Sequence, residues 1–258
     1  MKLLLSFDIE EFDTPLEYGK SLTFDEQLAP SVEGTKRILS LLEMYHVKAT
    51  FFCTARFAQM APDLIKQMIA NGHEVASHGY SHSTFSETDI ESSKKVLEEI
   101  TSVDVVGFRM PRMQPIDKAR LVKSAYWYDS SLHPTYLPGH YNNRKEPRTL
   151  FKHNDIWEIP ASVTPHLRIP LFWLSFHLFP WPFYRYLLHQ TIKHDTYALI
   201  YFHPWEFVAL DDQRFGIPRY IRYHTGMNLL NRLEKLIKYA VKQQWEYSTI
   251  RNFICNTK

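Results

Sequence analysis

The chain has 258 residues, 45% of them hydrophobic and 22% charged, with 30 Lys+Arg against 28 Asp+Glu for a net charge of +2. That length fits a single domain with a full core. The composition excludes a disordered chain, and the charge balance excludes a basic nucleic-acid footprint. Cys53 and Cys255 form neither a CxxC motif nor a disulfide framework, so no oxidising compartment is required.

In chain order, the apolar run Leu3–Phe7 is too short for a signal peptide, whose apolar region needs about 7–15 residues. Carboxylates follow it at once, so it reads as a buried first strand in a protein expected to be cytoplasmic. Ser31 is the expected N-cap of a helix with Val32, Thr35, Ile38, Leu39, Leu42 and Tyr45 on one stripe. Lys48–Cys53 reads as the second strand. Pro62 in a first turn, Leu64, Ile65, Met68 and Ile69 inside, and Asn71-Gly72 as the stop predict a second helix. His73–Ser77 is the third strand. Ser86 with Asp89 resembles a capping box for a helix with Ile90, Ser93, Leu97 and Ile100 on its inner face.

Val105–Phe108 and Tyr126–Ser130 supply a fourth and a fifth strand, and Ile156–Ile159 and Ala198–Phe202 two more. No helical pattern is legible over 131–155. A long final helix carries Leu229, Leu230, Leu233, Leu236, Ile237, Ala240 and Val241 on one stripe, and Tyr247–Ile250 is the candidate closing strand. Seven or eight mostly parallel strands alternating with helices predict an α/β fold. The expected form is a distorted (β/α) barrel in one domain over 1–258, with an open doubly wound sheet as the alternative. In both, a site forms at the C-terminal ends of the strands.

Those ends collect chemistry. The first strand ends in Asp8-Ile9-Glu10-Glu11, the third in Ser77-His78-Gly79-Tyr80-Ser81-His82, the fourth in Arg109-Met110-Pro111-Arg112, and the strand near 200 in His203-Pro204-Trp205-Glu206. With 13 His in the chain, chance alone gives roughly 0.6 His pairs at spacing four, so the His78–His82 spacing says little by itself. Position says more: both follow a buried strand, and two His with one carboxylate form a catalytic divalent-metal ligand set. Surface or core histidines are the competing reading. Strand alternation puts Asp8 and Glu10 on one side and Glu11 on the other, so Asp8 and Glu10 are the expected pair of base and ligand. Arg109 is either a surface charge or the cation that holds a site carboxylate ionised and oriented. A lone His after an apolar run, as His203 is, is more often structural.

Taken together these strand ends resemble the polysaccharide deacetylase family, the carbohydrate esterases that include chitin and peptidoglycan deacetylases. The resemblance is strongest over Val32–His82, in EGTKRILSLLEMYHVKATFF and NGHEVASHGYSH. It implies His78 and His82 as metal ligands, Asp8 as catalytic base, His203 as catalytic acid and Arg109 as the residue steadying the base. Ile9 occupies the place of the family's commoner second Asp. The sequence instead resembles a subset with Asp-x-Asp/Glu, which makes Glu10 the third ligand. That subset also shares the His-Pro-Trp-Glu ending and Tyr128-Asp-Ser-Ser131, and is typical of bacterial capsule and exopolysaccharide systems.

Two departures stand out. Arg112 replaces the aromatic after Arg-x-Pro, and the Asp-x-x-Asp-Trp motif that shapes the acetyl pocket is missing, with Asp129 and Trp157 as candidate substitutes.

The implied activity is that of a metal-dependent hydrolase acting on a non-peptide C–N bond. It would remove N-acetyl groups from amino sugars of a glycan or a lipid-linked sugar precursor, with a divalent cation, zinc, on Glu10, His78 and His82. Two rivals are an allantoinase-like hydrolase of small cyclic amides, which the intact ligand set argues against, and an inactive glycan-binding relative, which Asp8 and His203 together argue against. Finally, Ile169–Tyr184 runs 16 residues without a charged side chain and is interrupted by Pro170, Pro180 and Pro182, which excludes a membrane-spanning helix. A buried connection is the plainest reading of it. The alternative is a homo-oligomer contact with Trp173, Phe176 and Trp181 partly exposed, or a peripheral membrane contact.

Overall fold

In the computed structural model, which describes residues 1–139 and 141–257, the apolar runs pair laterally around one curled sheet. The strands are β1 (Lys2–Ile9), β2 (Thr50–Cys53), β3 (Glu74–Ser77), β4 (Gly107–Phe108), β5 (Tyr128–Asp129), β6 (Tyr136–Leu137), β7 (Tyr141–Asn142), β8 (Phe151–His153), β9 (Ile156–Glu158), β10 (Tyr197–Phe202) and β11 (Glu246–Tyr247). They line up as β10-β1-β2-β3-β4-β5-β9-β8, with β11 beside β1. All pairs in this sheet are parallel except β8 with β9. β6 and β7 form a separate antiparallel hairpin in the stretch without helical pattern.

Beyond β9 the chain turns back on β10, where Ser162 N–H donates to Leu199 O at 3.0 Å and Leu199 N–H to Ser162 Oγ at 2.8 Å. The sheet is thus a distorted barrel, as expected, and not an open doubly wound layer.

Helices α1 (Thr14–Glu17), α2 (Phe24–Met44), α3 (Ala55–Met60), α4 (Pro62–Ala70), α5 (Asp89–Thr101), α6 (Lys118–Lys123), α7 (Trp173–Leu178), α8 (Trp181–Asp195), α9 (Arg219–Arg222), α10 (Met227–Lys242) and α11 (Ile250–Cys255) complete the chain. No helix among the described residues is long and apolar enough to cross a membrane.

Alternation along β1 explains both sides of the sheet. Leu3, Leu5, Phe7 and Ile9 face outward into the core shared with the helices, and Leu4, Ser6 and Asp8 face the barrel interior. The lower interior is filled by Leu4, Phe52, Ala76, Val106 and Leu199, and Ile250, Phe253 and Ile254 of α11 plug it. Polar residues replace this packing toward the strand C-termini, where the interior becomes the site.

Several boundaries differ from expectation. α2 starts seven residues before Ser31, because Thr23 and Glu26 form a reciprocal capping box. Ser31 is buried inside the helix, after Pro30. The expected closing strand shrinks to β11, and its tail turns helical once Thr249 caps α11 through Asn252 N–H. Val241 is exposed and stands off the buried stripe of α10. Over 169–184, Phe176 is fully buried with its ring 5.0 Å from Tyr184 and 5.1 Å from Phe202, so it is a core residue and not an exposed contact. Trp173 and Trp181 are half-buried.

Candidate metal centre and active site

Glu10 leaves the end of β1 on the interior side, and His78 and His82 leave the end of β3. One donor atom from each lies within 4.8 Å of the others. His78 Nε2 and His82 Nε2 stand 3.2 and 3.1 Å from Glu10 Oε2, and Trp205 Nε1 donates to Glu10 Oε1 at 3.2 Å.

Both imidazoles are oriented through their far nitrogen. His78 Nδ1 donates to the Arg109 carbonyl at 2.8 Å, and His82 Nδ1 donates to Asp13 Oδ1 at 2.8 Å. These bonds leave both Nε2 atoms to the cleft, the arrangement a metal-binding histidine needs. Burial would raise the Glu10 carboxyl, but His82, His203 and His78 outweigh it and bring it down to about 2. Burial would lower His82, yet Glu10 and Asp13 raise it. Two imidazole nitrogens and a carboxylate in this geometry fit a divalent cation.

Glu11 points away from this cluster. Its Oε2 accepts from Thr54 Oγ1 at 3.3 Å and from the His82 backbone N–H at 3.4 Å, so it braces the His82 turn.

Asp8 lies one turn of the pleat below Glu10. Arg109, fully buried, donates from Nη1 to Asp8 Oδ1 at 2.6 Å and to Ser6 Oγ at 3.0 Å. Its other donors go to the Ser130 carbonyl and Ser130 Oγ, and its guanidinium lies 4.0 Å from the Phe52 ring centre. The Tyr-Asp-Ser-Ser segment thereby acquires a physical meaning. Ser130 holds Arg109, and Ser131 Oγ accepts from Met110 N–H at 2.8 Å. With Oδ1 engaged, Asp8 Oδ2 is left to the cleft.

His203 follows β10. Its Nδ1 donates to Glu206 Oε1 at 2.7 Å, and its ring stacks on Trp205 at 5.0 Å and 14°. Glu206 also accepts from the His203 backbone N–H and, through Oε2, from His177 Nε2 at 2.8 Å. Burial would lower His203, but Glu10, Glu206 and Asp8 raise it to about 9, so the imidazole is a proton carrier at neutral pH.

The cleft above these groups has a volume of about 270 Å³, and its apolar wall includes Met113, Leu137, Phe172, Trp173, Tyr201 and Trp205. Asp129 and Trp157 are not in it. Asp129 pairs with Lys118 and accepts from Ser131, and Trp157 packs on the lower interior, so neither substitutes for the missing motif. Arg112, at φ +58°, reaches Asp13 at 3.1 Å and Glu17 at 3.0 Å and forms part of the rim.

Sequence reasoning missed Asp13, Ser6, His177, Phe172 and Trp173. Asp13 is the one with a signal, a fourth carboxylate after Asp8, Glu10 and Glu11.

Residues 19–129 match the family described as Polysaccharide deacetylase, and residues 130–254 match one described as Domain of unknown function (DUF3473). The chain is similar to the peptidoglycan-N-acetylglucosamine deacetylase of Bacillus cereus, 40% identical over 62 residues covering 24% of this chain and 22% of that protein. It is also similar to the chitooligosaccharide deacetylase of Sinorhizobium fredii, 40% identical over 80 residues covering 30% of this chain and 35% of that protein. Such matches span 22% to 39% of the curated relatives' own lengths.

In fold, the chain is similar to a "probable Polysaccharide deacetylase from Pseudomonas aeruginosa PAO1", with TM-score 0.63 at 17% identity, covering 97% of this chain and 88% of that one. It is also similar to Puue allantoinase, with TM-score 0.61 at 17% identity and the same coverages of 97% and 88%. At these identities the likeness concerns architecture alone.

Proposed function

The chain belongs to the polysaccharide deacetylase family, and from that premise we propose that it is a metal-dependent hydrolase removing N-acetyl groups from amino sugars of a glycan. The observation that carries this reading is the convergence, in one cleft, of the Glu10–His78–His82 donor set with Asp8 and His203. The reading assigns zinc to those three donors and a bacterial exopolysaccharide or its lipid-linked precursor as the substrate class.

A divalent cation there supplies Lewis-acid polarisation of the acetamide carbonyl and acidifies a water. Asp8 Oδ2 accepts the proton of the attacking water while Arg109 keeps Oδ1 engaged and the carboxylate oriented. The water oxygen bonds to the acetyl carbon and the C–N bond breaks. His203, tied at Nδ1 to Glu206, gives its Nε2 proton to the departing amine, which leaves poorly without one. Trp173 and Phe172 close one side of the cleft to water.

Acetate release from a panel of N-acetylated glycans, with and without chelator, tests the reading. Release that stops on chelation and returns with added zinc supports it. Hydrolysis of cyclic amides without acetate release would favour the allantoinase-like alternative. Glycan binding without turnover would favour an inactive relative.

A further inference from the structure

One buried polar group beside the cleft is unused by this chemistry. His133 is fully buried, edge-on to Phe172 at 5.1 Å and Tyr201 at 6.1 Å. Its Nδ1 lies 2.8 Å from the Tyr141 hydroxyl, and its Nε2 has no partner among the described residues. Tyr141 stands in the wall of the same cleft as Asp8, Glu10 and His203. Tyr201, between the two sites, lies 5.8 Å from the His203 ring and 5.3 Å from the Arg109 guanidinium. The His133–Tyr141 pair therefore flanks the cleft floor.

The direction of this hydrogen bond has a consequence for the cleft. Burial, then the Arg109 charge, pushes His133 down to about 3, so the ring is neutral and carries one N–H. A proton on Nε2 would be a buried donor with no acceptor. A proton on Nδ1 goes to the Tyr141 oxygen and leaves only a bare lone pair behind. Orphaned buried donors are rarer than under-used acceptors, which selects the Nδ1–H form. Burial raises the Tyr141 hydroxyl above its ordinary pKa, so its own proton is present at neutral pH. With His133 donating to the oxygen, that proton has no protein acceptor among the described residues and is free for the cleft.

We infer that Tyr141 is a hydrogen-bond donor to an oxygen of the bound N-acetylated sugar, with His133 as the positioning residue that turns its hydroxyl toward the substrate. The ligand's identity rests on the deacetylase reading; the direction of the bond rests on the His133–Tyr141 contact, the unpartnered Nε2 and the burial of His133.

Two measurements test it. The imidazole ¹⁵N spectrum of the unliganded protein should show His133 as the Nδ1–H tautomer, and the Nε2–H tautomer overturns the inference whatever the activity. In acetate release, Tyr141→Phe should lower kcat/KM about three- to tenfold, the size of one net hydrogen bond. His133→Phe, which keeps a buried flat ring, should show a similar loss in the native background and none in the Tyr141→Phe background. Equal losses from His133→Phe in both backgrounds, or native kcat/KM for Tyr141→Phe, would overturn it. A native protein that releases no acetate would instead remove the deacetylase reading, and the tautomer would still decide the direction of the bond.

Discussion

The carboxylate of Asp13 holds His82 Nδ1 at 2.8 Å, and the same carboxylate accepts from Ser83 Oγ at 2.9 Å and from Arg112 Nη2 at 3.1 Å. A residue five positions beyond Asp8 thus fixes which nitrogen of His82 faces Glu10. Asp13→Ala should weaken divalent-metal affinity by about 10–100-fold, the usual effect of removing a histidine's outer partner. Competition with a metallochromic chelator measures it, and an unchanged affinity would mean that Asp13 only braces the loop.

The His203–Glu206 pair makes a pH prediction. The folded-state value of His203 lies above the ordinary histidine value, so its stabilising contribution is complete below about 6.5 and is lost as pH rises through about 9. The acid needed for amine departure is lost as His203 gives up its proton, so kcat should fall on the alkaline side. Charge neutralisation of Glu10 by a cation leaves Glu206 as the partner directly bonded to His203. Glu206→Gln should therefore move the alkaline limb of the kcat profile to lower pH. A uniform drop at every pH, with the limb unmoved, would mark Glu206 as structural.

Gly34 lies inside α2, where the helix crosses the turn after His203. A Cβ added there would fall 1.8 Å from the Pro204 carbonyl oxygen and 2.5 Å from its carbon. Helix propensity alone makes Gly→Ala stabilising by about 1 kcal/mol. The contact predicts the opposite sign: Gly34→Ala should lower the thermal midpoint. By shifting the His203 turn it should also reduce kcat up to about 100-fold.

Phe176 and Trp173 sit three residues apart and should respond differently. Phe176 is fully buried, and Phe176→Ala should cost about 3–5 kcal/mol in denaturant unfolding. Trp173 lines the cleft, with its ring 5.5 Å from His203 and 5.9 Å from Trp205. Trp173→Ala should raise KM with a smaller loss of stability.

The barrel, and the end of it that collects Asp8, Glu10, His78, His82, Arg109 and His203, were legible because strand alternation and the placement of sites at strand C-termini are local, periodic rules. Ser31 misled because it is a capping residue type standing just ahead of the apolar stripe, whereas a capping box at Thr23, eight residues earlier, set the end. In the charge-free segment only the expected exposure of Phe176 failed, because lack of charge does not reveal which residues face inward. Phe176 turns to the core and Trp173 to the cleft on one short helix. The supporting shell was mostly illegible. Ser6, His177 and His133 act through contacts between elements far apart in the chain, and single-residue types carry no spacing signal for such contacts; Ser130 was visible only as part of Tyr128-Asp-Ser-Ser131, without its partner Arg109.

In the proposed reaction Asp8 moves the proton while Glu10, His78 and His82 hold the cation. The most direct measurement is metal content and acetate release on the same preparations of the native protein and Asp8→Asn. One equivalent of divalent metal is expected in both, with turnover in Asp8→Asn reduced by about 10²–10⁴-fold. Native-rate acetate release by Asp8→Asn, or a native protein that turns over fully after its metal is stripped, would contradict it.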